Sequence, residues 1–326
     1  MVLRAMIAGC GGYLPERRLS NDELAALHGL DTSDTWIRER TGIRYRHMAA
    51  PGETASDMGA AAAREALAMA GVGAAEVDAI LVATSTPDSA FPATAVRIQA
   101  KIGANGGFAF DLAAACTGFV YALGIADSLI RTGQARNVLV IGTEVYSRIL
   151  DWTDRGTCVL FGDGAGAVLV RAGEAAGTTA DRGILSCHMH SDGRFGDILQ
   201  IEGGAGSTGG AGLLRMAGKE VFRHAVTKLA AVVDEALTAN GLGHEDVRWL
   251  VPHQANLRII EAMGRKLHLP TERVVVTVDR HANTSAASIP LALAEARRDG
   301  RIGAGDLVVM EAIGGGLTWG AALARF

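Results

Sequence analysis

Two stretches of this chain spell out a similar order of elements, and that repetition constrains its fold more than any single motif. In the first stretch, residues 78–86 read as a buried strand centred on Ile80-Leu81-Val82 and 95–102 as a helix. Residues 107–112 read as a strand, 118–131 as a helix ending near Gly133, and 137–143 and 164–170 as strands. In the second stretch, 218–239 predicts a long helix ending near Gly241, 248–252 a strand and 257–267 a helix. Residues 273–278 then read as a strand, 285–298 as a helix, and 306–311 and 317–326 as strands. Short apolar runs bounded by turn residues argue strands, and helical periodicity argues helices. Their alternation implies an α/β architecture, duplicated within the chain.

Laid over each other, Leu81-Val82-Ala83-Thr84 matches Leu250-Val251-Pro252-His253. The strand entering Cys116 matches the strand entering Asn283, and the turn Gly162-Asp163-Gly164-Ala165-Gly166 matches Gly314-Gly315-Gly316. Cys116 and Asn283 then occupy matching strand–helix junctions, with His253 closing the strand before Asn283. A pseudo-two-fold axis would bring all three to one crevice at the carboxyl ends of strands, where α/β proteins bind ligands. The join between halves is weakly marked. Residues 172–182 read as a surface connection and 203–212 as a glycine-rich loop. The expected units are residues 1–175, carrying Cys116, and 176–326, carrying His253 and Asn283.

Hydrophobic residues make up 49% of the 326 and charged residues 20%, enough apolar material for a large core. Aromatics are only 5%, which suits close helix–sheet packing. A net charge of −4, with no interleaving of aromatic and basic residues, argues against nucleic acid as a partner. Cys10, Cys116, Cys158 and Cys187 have neither C-x-x-C nor zinc-finger spacing, so the expectation is a reduced cytoplasmic protein without disulfides or metal. The short apolar start lacks the basic region of a signal peptide, and no apolar run is long enough to span a membrane.

Cys116 follows Gly107-Phe108-Ala109-Phe110-Asp111-Leu112-Ala113-Ala114-Ala115 where a strand meets a helix. A helix N-terminus stabilises a thiolate. A buried structural cysteine reads the same way in isolation. His253 in Pro-His-Gln-Ala-Asn and Asn283 in His-Ala-Asn-Thr-Ser separate the two readings. A Cys/His/Asn set suits acyl transfer through a thioester, with His and Asn donating to one developing oxyanion. Asn stands where a hydrolase would want a second acid or base. Gly314-Gly315-Gly316 offers unobstructed backbone N–H groups, as an oxyanion hole or as a plain tight turn.

The set Ala-Cys116-Thr-Gly, Pro-His253-Gln-Ala-Asn256-Leu-Arg258-Ile, His-Ala-Asn283-Thr-Ser and Gly-Gly-Gly-Leu-Thr-Trp319-Gly resembles the β-ketoacyl-acyl-carrier-protein synthase III family. So do the stretches Asp31-Thr32-Ser33-Asp34-Thr35-Trp36-Ile37, Arg40-Thr41-Gly42-Ile43-Arg44, Asp154-Arg155-Gly156-Thr157 and Phe161-Gly162-Asp163-Gly164-Ala165-Gly166. The resemblance spans essentially the whole chain. It implies the thiolase-like fold, an internally duplicated five-layered αβαβα arrangement, usually as a homodimer. It also implies a decarboxylating Claisen condensation that starts type II fatty-acid synthesis, without metal or organic cofactor. In that scheme Cys116 takes an acyl group from acyl-CoA and malonyl-acyl carrier protein loses CO₂. His253 and Asn283 then stabilise the enolate oxygen, and the N–H groups of Cys116 and Gly315 hold the tetrahedral oxyanion.

By the same resemblance, Trp36 stacks on the CoA adenine beside Thr32, Arg40 and Arg155, while Gly218 and Asn256 line the pantetheine tunnel. An indole face and guanidinium groups suit a nucleotide; ordinary core packing would equally explain a tryptophan. Arg215, Lys219 and Arg223 recur every four residues, the spacing of one helix face. The resemblance assigns Arg223, Gln254, Arg258, Arg265 and Lys266 to docking of the acidic carrier protein. It also carries Phe91 across the dimer into the partner's acyl pocket. Ile313 stands where acetyl-selective members have Phe, which leaves room for a longer or branched primer. The nearest rival is a thiolase-fold acyltransferase of secondary metabolism with a nonstandard acceptor. Thiolases are disfavoured because no cysteine follows Cys187, and a catalytically silent subunit because Cys116, His253 and Asn283 are all retained.

Overall fold

The computed structural model describes residues 1–326. The first half runs β1 (Val2–Tyr13), β2 (Arg17–Ser20), α1 (Asn21–His28), α2 (Asp34–Thr41), β3 (Tyr45–Met48), α3 (Ala55–Ala70) and β4 (Ala79–Ala83). It continues with α4 (Thr94–Ile102), β5 (Phe108–Leu112), α5 (Gly118–Arg131), β6 (Asn137–Glu144) and β7 (Gly164–Ala175). The second half runs β8 (Gly183–Ser191), β9 (Leu199–Gly204), β10 (Gly210–Met216), α6 (Gly218–Ala239), β11 (Trp249–Pro252) and α7 (Leu257–Lys266). It closes with α8 (Val278–His281), α9 (Ser288–Arg298), β12 (Leu307–Gly314) and β13 (Thr318–Arg325).

Strands whose side chains alternate between two apolar destinations build the layers. Ile80, Val82, Leu139 and Ile141 pack with α3 and α4. Leu81, Val138 and Val140, one residue out of phase, pack with α5 and α9. Val308 and Met310 of β12 meet the same central helices from the other side, and Val309 and Leu323 face α6 and α7. Five layers result, with α5 and α9 in the middle. Strands covered on both faces read as unbroken apolar runs, which is why residues 80–82 show no polar alternation.

The first sheet has the order β1-β7-β6-β4-β5 and the second β8-β13-β12-β11. One parallel bridge, Leu250 to Val274, sets the segment after α7 against the free edge of β11. With that segment included, the sheets match strand for strand. The β1–β7–β6 and β8–β13–β12 pairings are antiparallel, and the rest are parallel.

The duplication has a different register from the one expected. Asp78 N–H donates to Asn137, as Arg248 N–H donates to Leu307. That pairs Leu81 with Val251 and Ala83 with His253, one residue off the expected match. A one-residue slip moves every side chain to the other face of a sheet. Leu81 and Val251 both face the central helices, whereas Leu250 faces outward. In the same register Gly314-Gly315-Gly316 corresponds to Glu144-Val145-Tyr146. The expected counterpart, Gly162-Asp163-Gly164-Ala165-Gly166, is irregular only at Gly162 and Asp163, and from Gly164 it is the start of β7.

Three further expectations change. Residues 273–278 form no strand, because the Gln254 side-chain oxygen captures the N–H groups of Thr277 and Val278 and the chain turns into α8. Residues 203–212 are not an open loop but the tip of the β9–β10 hairpin, where Gly203 and Gly204 pair with Ala211 and Gly210. Arg215 lies in β10, not on a helix face with Lys219 and Arg223. Its guanidinium meets Asp151 at 2.6 Å and Glu202 at 3.1 Å.

Candidate active site

Each half enters its central helix through a short 3-10 turn, Ala115–Thr117 before α5 and Ser285–Ala287 before α9. Ala115 (φ 46°) and Ser285 (φ 50°) open these turns in the left-handed region. Such conformations cost a non-glycine residue roughly 1–3 kcal/mol and persist where surrounding packing enforces them. Counted back from the first residue of each helix, Cys116 corresponds to Ala286. Asn283 lies three residues upstream of that point, so the two share a junction without being equivalent positions.

Cys116 is buried, 5% exposed, at the start of the central helix. Burial pushes its thiol up to about 12, with nearby Glu144 adding to the rise and the Ser285 hydroxyl opposing it. Gly314 closes β12 directly against this turn. A Cβ there would lie 2.6 Å from the Cys116 nitrogen, so only glycine permits the approach.

His253 follows the last residue of β11, and its N–H donates to the Glu311 carbonyl at 2.8 Å. Its ring is buried, with Nδ1 2.6 Å from the Ser288 hydroxyl. Burial pushes the imidazole down to about 3, so the ring is neutral. Asn283 sits beside Phe161; its N–H donates to Leu160 and its carbonyl accepts from Gly162. The carboxamide oxygen accepts the Ser285 N–H at 2.9 Å, which leaves the NH₂ end for other partners. The amide orientation follows from that hydrogen bond.

Cys116, His253 and Asn283 all line one cavity of about 1060 Å³. Gly315, Ile313, Gly218 and Asn256 line it too, and exposed Arg40 and Arg258 mark its outer end. Asn256 is also the N-cap of α7, accepting the Ile259 N–H at 3.1 Å. Trp36 lines the same cavity, with the Arg40 guanidinium 4.4 Å and the Arg155 guanidinium 5.3 Å from its ring centre. Arg155 is itself held by Asp31, and the nearby Thr32 hydroxyl is buried without a partner.

Arg223, Arg265 and Lys266 are exposed, Arg265 within 3.8 Å of Glu261. Gln254 is not a docking residue. It is 1% exposed, and its amide donates to Pro252 and Val275 while accepting from Thr277 and Val278, which uses it up inside the fold. Phe91 is 86% exposed and stands apart from this chain's own cavity.

Sequence reasoning missed several lining residues. Tyr146 stacks on Phe161 at 4.9 Å and lines the cavity with Ser85. Leu199, Ile201, Leu214 and Met216 come from the arms of the β9–β10 hairpin, outside the tip at 203–212 that reads as a loop. Behind the lining, Glu144 is fully buried, accepts from Ser85, Thr84 and Thr86, and is pushed up to about 7 by burial. No local signal in the sequence marks these positions, because each depends on which strand end meets the cavity. No helix is long and apolar enough to cross a membrane.

Comparison with known proteins places this chain in a family. The family model described as 3-oxoacyl-[acyl-carrier-protein (ACP)] synthase III matches residues 110–193, and the model of its C-terminal region matches residues 237–326. A β-ketoacyl-[acyl-carrier-protein] synthase III from Acidiphilium cryptum is 67% identical over 323 residues, 99% of each chain. The protein of the same name from Rhodospirillum centenum is 63% identical over 326 residues, 100% of each. The crystal structure of 3-oxoacyl-[acyl-carrier-protein] synthase III from Aquifex aeolicus matches with a TM-score of 0.92 at 47% identity, covering 99% of this chain and 100% of that one.

Proposed function

This chain belongs to the β-ketoacyl-[acyl-carrier-protein] synthase III family of condensing acyltransferases, whose reaction initiates fatty-acid synthesis, and we propose acetyl-CoA as its primer and malonyl-acyl carrier protein as its extender. The observation that carries this reading is the meeting of a buried thiol with two neutral hydrogen-bond donors on one cavity. Cys116 Sγ attacks the acyl carbon, and CoA leaves as its thiol with the cysteine proton. Malonyl-carrier protein then loses CO₂, leaving an enolate whose oxygen accepts from His253 and Asn283. The enolate carbon attacks the acyl-cysteine, the tetrahedral oxyanion rests on the N–H groups of Cys116 and Gly315, and the expelled thiolate takes up a proton. A neutral imidazole can fill this role, because with one nitrogen protonated it still carries an N–H donor.

The cavity's outer end suits the CoA handle. The Arg40 and Arg155 guanidinium groups already stack as cations on the Trp36 indole, and an adenine can replace one of them. Thr32 supplies an unused hydroxyl, and Gly218 and Asn256 flank the pantetheine arm. Exposed Arg223, Arg258, Arg265 and Lys266 dock the acidic carrier protein. The edge strand β5, with Phe108 and Phe110 37–40% exposed, is the homodimer interface, and Phe91 crosses it into the partner's pocket. Residues 1–175 and 176–326 are the two units, and the enzyme works in the cytoplasm without a cofactor.

A primer scan tests the reading. The protein is incubated with malonyl-carrier protein and acyl-CoAs from acetyl to octanoyl, straight and branched, and products are read by mass. Acetoacetyl-carrier protein is the expected main product. Product only from longer or branched primers would make Ile313 the determinant and overturn acetyl selection. Acyl-Cys116 without any condensation product would overturn the extender.

A further inference from the structure

The register that pairs Ala83 with His253 also pairs Gly118 with Ser288, the first residues of α5 and α9. In both halves the two positions touch. A Cβ on Gly118 would lie 2.8 Å from the Ala83 Cβ, and the Ser288 hydroxyl lies 2.6 Å from His253 Nδ1. The fold thus offers the same contact twice. One half fills it with the smallest residues, and the other with an imidazole and a hydroxyl.

Ser288 is 2% exposed, so no solvent competes for its hydroxyl. A serine oxygen has one proton to donate and two lone pairs. One lone pair accepts the Gln254 N–H at 3.3 Å. The only side-chain or backbone acceptor recorded within reach of the hydroxyl proton is His253 Nδ1. Were Nδ1–H to donate instead, the serine proton would be buried without an acceptor, which is costly.

We infer that Ser288 donates to Nδ1 of His253 and so holds the ring in the tautomer that carries its proton on Nε2. Which imidazole nitrogen bears the proton is set by the hydrogen bond at the other. The nitrogen left for the cavity is then a donor, as the enolate oxygen requires. Ser288 is a positioning residue, acting through His253.

This inference rests on the reading that His253 donates to the enolate, yet the two fail separately. The full-length protein labelled with nitrogen-15 in its histidine rings is measured by NMR, with His253 assigned from the signal lost in His253→Gln. The expected spectrum shows Nδ1 unprotonated and Nε2 protonated; the reverse would overturn the inference whatever the role of His253. Ser288→Ala should abolish that preference and lower the condensation kcat about 10–100-fold with little change in KM, since a misdirected donor forfeits most of its effect. Ser288→Thr, which keeps the hydroxyl, should recover both. A threonine variant as slow as alanine while its ring still carries the proton on Nε2 would assign the loss to packing and overturn the role. Undiminished condensation by His253→Ala would instead remove the functional reading and leave the tautomer standing.

Discussion

The two strand–helix junctions at the centre of the molecule share a backbone and differ in what they display. Both bend through a left-handed residue into a 3-10 turn and then into a buried helix. The first shows a thiol at its second position, where the second has Ala286. Three residues earlier the second shows a carboxamide, Asn283, where the first has Ala113. At the strand ends beside them, Ala83 faces Gly118 in one half and His253 faces Ser288 in the other. The repeated fold supplies a crevice with two sides. In the proposed reaction the two sides divide the work, one supplying the nucleophile and the other the pair of donors.

The sharpest way to break this division is to remove the nucleophile. Cys116→Ala should abolish the acyl-enzyme in intact-protein mass spectrometry; acylation persisting in that variant would move the nucleophile elsewhere. Removing a donor should separate the two sides. His253→Ala should still acylate Cys116, while CO₂ release from malonyl-carrier protein falls about 10²–10³-fold, the usual worth of one oxyanion donor. Equal loss of both steps would mean that the halves do not divide the reaction.

A smaller effect is expected outside the crevice. Arg258→Glu should lower carrier-protein-dependent turnover about tenfold at low salt and leave acyl transfer from CoA nearly intact, the gap closing as salt screens the charge. Loss of both activities together would make Arg258 structural.

The smallest effect concerns stability. On β12 the second half carries Glu311 where the first carries Ile141, and both carboxyl oxygens are buried without partners. Burial pushes this group from 4.5 to about 8. Below the lower value both folded and unfolded chains hold the proton; between the two values only the folded chain does. Stability therefore falls as pH rises through that window. Glu311→Gln should flatten the dependence of Tm on pH across that window by several degrees, a few kcal/mol at most for a shift of this size; an unchanged slope would place an unseen partner beside the carboxyl.

Much of this was legible along the chain. Helices α5 and α6 begin and end where their periodicity and flanking glycines put them, and the motifs around Cys116, His253 and Asn283 marked residues that do share a cavity. Register was less legible, because Leu81 over Leu250 and Leu81 over Val251 both match leucine to an aliphatic residue in a strand apolar throughout. Only the hydrogen bonds choose between them. The family resemblance assigns Gln254 to docking, whereas in the fold its buried amide supplies the hydrogen bonds that a strand at 273–278 would have made.

The sequence by itself determined the α/β class, the duplication and the identities of the thiol, imidazole and carboxamide, since these follow from local periodicity and residue chemistry. Tertiary structure alone decided which atoms are free to act. Burial sets the charge of His253 and Cys116, the Ser285 N–H takes the Asn283 oxygen, and the Ser288 hydroxyl meets His253 from a helix 35 residues along the chain. Hydrogen-bond partners and desolvation are properties of neighbours in space, and no linear pattern encodes them locally.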